Sequence, residues 1–151
     1  MSITFTDATE FGSMTDPSVP PLETIEFEAG LPGFPTARRF RLEDLGEGLR
    51  PFRRLRSVGE PEVTFTVVEP GLLFPDYSVE IDDDHQAALG IGSAEEVLTL
   101  VLITVPRPPL PPTANLLGPI VINKSTGSAA QVVQHRSNYK VAEPLPGTAA
   151  S

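Results

Sequence analysis

The chain contains no cysteine, which excludes a disulfide framework, a thiolate zinc site and a cysteine nucleophile. Basic residues are scarce: eleven Lys and Arg stand against twenty Asp and Glu, a net charge of −9. A field of that sign repels nucleic acid and favours basic partners. Long hydrophobic runs are missing too. The longest, Val97 to Val105, has nine residues, against the roughly 20 needed to span a bilayer. The N-terminus lacks the basic-then-apolar pattern of a secretory signal. The expectation from these absences is a soluble, cytoplasmic protein with no membrane partner and no direct nucleic-acid partner. At 151 residues it is expected to be one domain with a core of its own.

What is abundant is proline and glycine, seventeen and twelve respectively, which disfavours long helices and suits short strands joined by turns. Residues 1–20 are polar and proline-punctuated, an expected flexible leader, and 146–151 an expected flexible tail. Between them, 21–145 reads as a β domain. Ile25 and Phe27 alternate with acids, as do Val63, Phe65 and Val67 with threonines, the period of half-buried strands. Shorter apolar runs at 40–42 and 52–55 predict two more strands, and Tyr77 to Ile81 another. Val97 to Val105 reads as a strand buried on both faces. Asp82 to Leu89 predicts a short acid-initiated helix, and Ser93-Ala-Glu-Glu96 a capped single turn. A proline-rich connector spans 106–112, and 130–136 is the last clear strand. No βαβ rhythm or internal repeat is present. The predicted class is all-β, mainly antiparallel: a compact barrel-like or sandwich domain with one or two short helical turns.

The chain is organised around Thr113-Ala-Asn-Leu-Leu-Gly-Pro-Ile-Val-Ile-Asn123, read as two core strand runs interrupted by Gly118-Pro119 and bracketed by Asn115 and Asn123. Charge is also blocked. Residues 38–56 hold seven arginines against Glu43, Asp44 and Glu47, while 1–37 and 57–106 are acidic and carry no Lys or Arg. Folded onto different faces, these blocks put a basic stripe on an acidic body; folded together, they pair across strands. Catalytic motifs are lacking. Asp82-Asp-Asp-His85 reads as a solvated helix start rather than a metal site, because adjacent side chains diverge, and His135 as a surface or partner-facing residue. Phosphate loop, dinucleotide motif and serine elbow are all missing. Twenty acids always offer some carboxylate pair, so a hydrolase reading waits on geometry, as does a barrel holding a small ligand in its lumen.

Taken in order, Gly30-Leu-Pro-Gly-Phe34, Pro51-Phe52 with Leu55-Arg-Ser-Val58, Asp76-Tyr77, the 113–123 run, and Gln131-Val-Val133 with Tyr139 resemble the FliW family of flagellar assembly factors over roughly residues 21–145. Three departures stand out. The family usually has alanine at Gly118 and glutamine at Arg56, and basic residues around the last strand are thin here. The resemblance implies a cytoplasmic, non-enzymatic, barrel-like protein, monomeric when free and without metal or cofactor. Such proteins bind newly made flagellin. Once flagellin is exported, the freed factor binds the translational regulator CsrA and relieves repression of flagellin synthesis. For the CsrA-facing surface the candidates are Asp76, Tyr77, Glu80, Asp82 and Asp83. For flagellin they are Leu72, Leu73 and Phe74, with a lid over the core as their alternative role. Gly30, Pro32, Gly33, Phe34, Asn115, Pro119 and Asn123 are assigned to architecture.

Overall fold

The computed structural model describes residues 3–6, 24–28, 30–31, 34, 36–46, 48, 51–59 and 62–146. Its strands are β1 (Ile3–Thr6), β2 (Ile25–Phe27), β3 (Arg39–Asp44), β4 (Arg53–Ser57), β5 (Thr64–Val68) and β6 (Ser78–Ile81). After the helix α1 (Asp83–Leu89) come β7 (Val97–Thr104), β8 (Thr113–Ala114), β9 (Ile120–Asn123), β10 (Ser128–Gln131) and β11 (Glu143–Pro144). Single 3-10 turns lie at Pro70–Leu72 and Ala94–Glu96.

Seven strands close on themselves. β7 pairs with β5, and the sheet runs on through β4, β3, β2, β10 and β9, which returns to β7. Every pairing in that ring is antiparallel except β2 with β10. The parallel seam depends on Gly127, whose φ of 82° is accessible chiefly to glycine. A Cβ there would fall on the Thr24 carbonyl oxygen. The Gly127 carbonyl accepts from the Glu26 amide at 2.9 Å, and its own amide donates to Asn123 at 2.8 Å. β8 shares with β9 one edge of β7, and β11 pairs outside β8.

Alternation along the strands divides the core in two. Phe27, Phe40, Leu42, Leu55, Val67, Leu100, Ile120 and Ile122 point inward and fill the lumen. Phe27 and Phe40 meet edge to face there, their ring centroids 5.4 Å apart. A lumen so packed leaves the small-ligand reading without support. The opposite side chains of the same strands, Val68, Val97, Val101 and Val121, belong to a second cluster with Tyr77, Val79, Ile81, Leu89 and Ile91. The segment from β6 through α1 thus lies as an outer layer over one wall of the barrel. The apolar run is buried on both faces from Val97 to Val101 for this reason, one face to each cluster, whereas its end at Thr104 and Val105 is exposed.

Several expected elements shift. Leu116 and Leu117 are not strand residues: both amides donate to the Lys140 carbonyl, at 3.0 and 3.2 Å. The Asn115 side chain accepts from the Gly118 amide at 2.9 Å and bends the chain instead. The last long strand falls at 128–131 rather than 130–136, and the segment after it turns away, Gln134 N–H donating to the Leu117 carbonyl. Four residues of the expected leader, Ile3–Thr6, form β1 and pair antiparallel with β6; the rest of 1–20 and residues 147–151 lie outside the described residues.

Candidate partner-binding site

The outer layer carries the acids. Asp82 caps α1: one carboxylate oxygen accepts from the His85 amide at 2.8 Å, the other lies 2.7 Å from His85 Nδ1. The bond from the His85 amide holds the Asp82 carboxyl below its ordinary value of 3.8, against the opposing effect of burial and with the His85 ring adding to the lowering. The helix ends at Gly90, whose φ of 67° closes the last turn while Ile91 N–H reaches back to the Gln86 carbonyl at 2.9 Å. Asp83 and Asp84 occupy the exposed first turn, where the helix dipole favours negative charge. Expected capping at Ser93 takes a different form. Its side chain makes no cap bond, and Glu96 accepts from the Gly92 amide at 3.1 Å instead.

Glu80 sits mid-strand in β6, half-buried, with its backbone clamped by Gln134. The Gln134 side chain accepts from Glu80 N–H at 2.7 Å and donates to the Glu80 carbonyl at 3.0 Å, standing in for a neighbouring strand. Ser78 N–H is taken by the Tyr139 hydroxyl at 3.1 Å. Neither Gln134 nor Tyr139 was a site candidate from sequence. A buried glutamine between exposed Val133 and His135 gives no local signal, because its partner is 54 residues away.

Tyr77 must be corrected. It is 2% exposed, donates its hydroxyl to the Leu116 carbonyl at 2.6 Å, and packs on Tyr139 with ring centroids 4.5 Å apart. It holds the layer to the barrel and offers no surface to a partner. Asp76, Asp82 and Asp83 are exposed, as a contact surface requires.

Leu72, Leu73 and Phe74 are half-buried against the outer cluster, so they cover the core while keeping part of their surface in water. Leu73, Phe74 and Asp76 line one open groove of about 330 Å³, completed by Pro75, Leu116, Tyr139 and Glu143 around the buried Tyr77. Of the acidic candidates, Asp76 therefore adjoins the apolar ones.

Of the architectural residues, Asn123 does the most. Buried at the end of β9, its amide donates to the Leu89 and Gly90 carbonyls at 2.8 and 3.2 Å and accepts from Ser125 and Thr126 at 2.9 and 3.3 Å. It ties α1 to the barrel and shapes the β9–β10 turn at once. Gly30 adopts a φ of 71°, and Phe34 packs on Phe65 with centroids 5.8 Å apart. Buried Pro119 accepts the Val132 amide at 2.9 Å. Pro32 and Gly33 lie outside the described residues. Gly118 bears on the departure noted above: a Cβ there would press on the Gln131 side chain, which donates to the Gly118 carbonyl at 2.8 Å. Among the described residues no group of three or more His, Asp or Glu converges as a metal site, and no helix is long and apolar enough to cross a membrane.

A family model described as FliW protein matches residues 6–145. The chain belongs to the FliW family. It is 39% identical over 127 residues to the flagellar assembly factor FliW of Bacillus licheniformis, covering 84% of this chain and 88% of that protein. It is 35% identical to its Bacillus subtilis counterpart over 83% and 87% of the two chains. A crystal structure of the flagellar assembly factor FliW superposes with a TM-score of 0.75 at 36% identity, covering 81% of this chain and 84% of that one. The family match begins at residue 6, so it takes in the end of β1 as well as the barrel.

Proposed function

We propose that this FliW-family protein is a non-enzymatic, cytoplasmic flagellar assembly factor that holds flagellin or CsrA, one at a time, as a monomer. Flagellin docks an apolar helical segment into the groove lined by Leu73 and Phe74, with Leu72 beside it in the chain. CsrA, a basic RNA-binding protein, is met by Asp76, Glu80, Asp82 and Asp83, and the protein's net charge of −9 steers that encounter. Export of flagellin then frees the factor to antagonise CsrA and release flagellin synthesis. The observation that carries this reading is the shared groove, where Asp76 stands beside Leu73 and Phe74. A partner seated on the apolar side covers ground that the acidic side needs. Asp82 and His85, the pair nearest to a catalytic dyad, are engaged in capping a helix, which favours binding over catalysis.

The test is a competition with purified components. Titrating CsrA onto the protein saturated with flagellin should give no complex until flagellin is removed. A stable ternary complex would contradict mutual exclusion, and failure to bind either protein would remove the reading altogether.

A further inference from the structure

The arginine-rich segment has no part in that reading, and the register of β3 and β4 gives it a definite form. Arg39, Arg41, Arg54 and Arg56 all lie on the outer face, alternating with the inward Phe40, Leu42 and Leu55. Arg41 stands directly opposite Arg56. Like charges so placed repel and cost stability, so folding alone gives no reason for that pair, whereas Arg39 and Arg54 stand opposite Glu26 and Glu43. Two of the four are partly neutralised, Arg39 by Glu26 at 3.8 Å and Arg56 by Glu43 at 3.3 Å. Arg41 and Arg54 form no ion pair with any described residue, although the molecule has nine negative charges in excess. Among the described residues nothing covers this wall of the barrel as the β6–α1 layer covers the other: Arg39, Arg41 and Arg56 are exposed and Arg54 half-buried.

We propose that the outer face of β3 and β4 is a docking surface for an acidic segment of another protein. Same-face residues on a strand repeat about every 7 Å and facing pairs stand roughly 5 Å apart, so the guanidiniums form an array of that pitch. An extended chain with acids at alternate positions has the matching repeat, and each carboxylate can take a forked pair of N–H bonds. Both strands are interior to the sheet, so recognition is by side chains and not by an open strand edge. A single-stranded polynucleotide could use the same charges, but it needs aromatic platforms for its bases. The outward neighbours across the sheet include Thr64 and Thr66, whose hydroxyls can donate to a carboxylate, and Glu26 and Glu43, each already engaged with an arginine. The surface is independent of the flagellin and CsrA reading and stands or falls separately.

The experiment uses the full chain and a fluorescent peptide alternating glutamate and serine, with oligouridylate of equal charge as the rival probe. The wild type should bind the peptide at low salt, lose it steeply as salt rises, and prefer it to the oligouridylate. Arg41→Ser with Arg54→Ser should weaken binding at least roughly tenfold, equivalent to about 1.4 kcal/mol. The salt titration on the unaltered protein keeps the test decisive if the double variant folds poorly. Absence of peptide binding, binding indifferent to the substitutions, or equal or tighter binding of oligouridylate would overturn the proposal. So would self-association of the wild type that the double variant abolishes without any peptide binding, since the occupant would then be a second copy.

Discussion

Two walls of one barrel face outward in opposite ways. On the wall made by β5, β7 and β9, the second face of the pleat carries Val68, Val97, Val101 and Val121, and the chain spends β6 and α1 on covering it. On the wall made by β3 and β4, the second face carries arginines and is left to water. The inward halves of the two walls are alike, aliphatic and aromatic in one shared cluster. What differs is only the alternate residue. That residue decides whether a strand calls for another layer, and the layer it calls for is where the acids and the groove are built. The covered wall is therefore held together by specific ties, and the bare wall, among the described residues, by its own sheet and the ion pairs across it.

The comparison can be broken most severely at Tyr77. Tyr77→Ala removes a buried ring and the bond to Leu116, and should cost about 3–5 kcal/mol in urea unfolding; a much smaller loss would mean the layer does not depend on that anchor. Asn123→Ala should follow, at about 2–3 kcal/mol, since it leaves the buried Leu89 carbonyl and the partly buried Gly90 carbonyl at the end of α1 without this donor. Hydrogen exchange should then accelerate in α1 before it does in β3 and β4. Asp82→Ala is expected to cost about 1 kcal/mol through loss of the cap. Because the folded carboxyl is held below its ordinary value, its contribution is present above 3.8 and is lost as pH falls through the lowered value. Asp82→Asn should flatten that acid dependence, readable as the pH profile of α1 exchange. The smallest effect has the opposite sign. Arg41→Thr should raise stability by a few tenths of a kcal/mol by relieving its repulsion with Arg56, and a loss of stability there would show that the bare wall needs its charges.

Much of this plan was legible in the residues. Period-2 alternation located β2, β5 and β6, and the acid-rich start announced α1. The run from Val97 announced burial on both faces, which holds as far as Val101 but not at Thr104 and Val105. What local pattern could not carry was anything settled by distant partners. Tyr77 follows Asp76 and looks like a surface aromatic until Tyr139 is brought against it. Leu116 and Leu117 have strand chemistry, yet their amides go to Lys140. Closure of the sheet rests on the parallel seam at Gly127, and nothing in β2 or β10 by itself specifies that meeting. Asp76, Asp82 and Asp83 are exposed because carboxylates seldom sit buried without a partner. The scaffold behind them, Gln134 above all, acts across 54 residues of sequence.

The most direct test of the account is the association rate of CsrA with the wild type, with Asp76→Lys/Asp83→Lys and with Arg41→Ser/Arg54→Ser, each followed across salt concentrations. Slower association with a shallower salt dependence in the aspartate variant alone is the predicted result. Kinetics unchanged by the aspartate substitutions, or altered chiefly by the arginine ones, would contradict the assignment of CsrA to the covered wall.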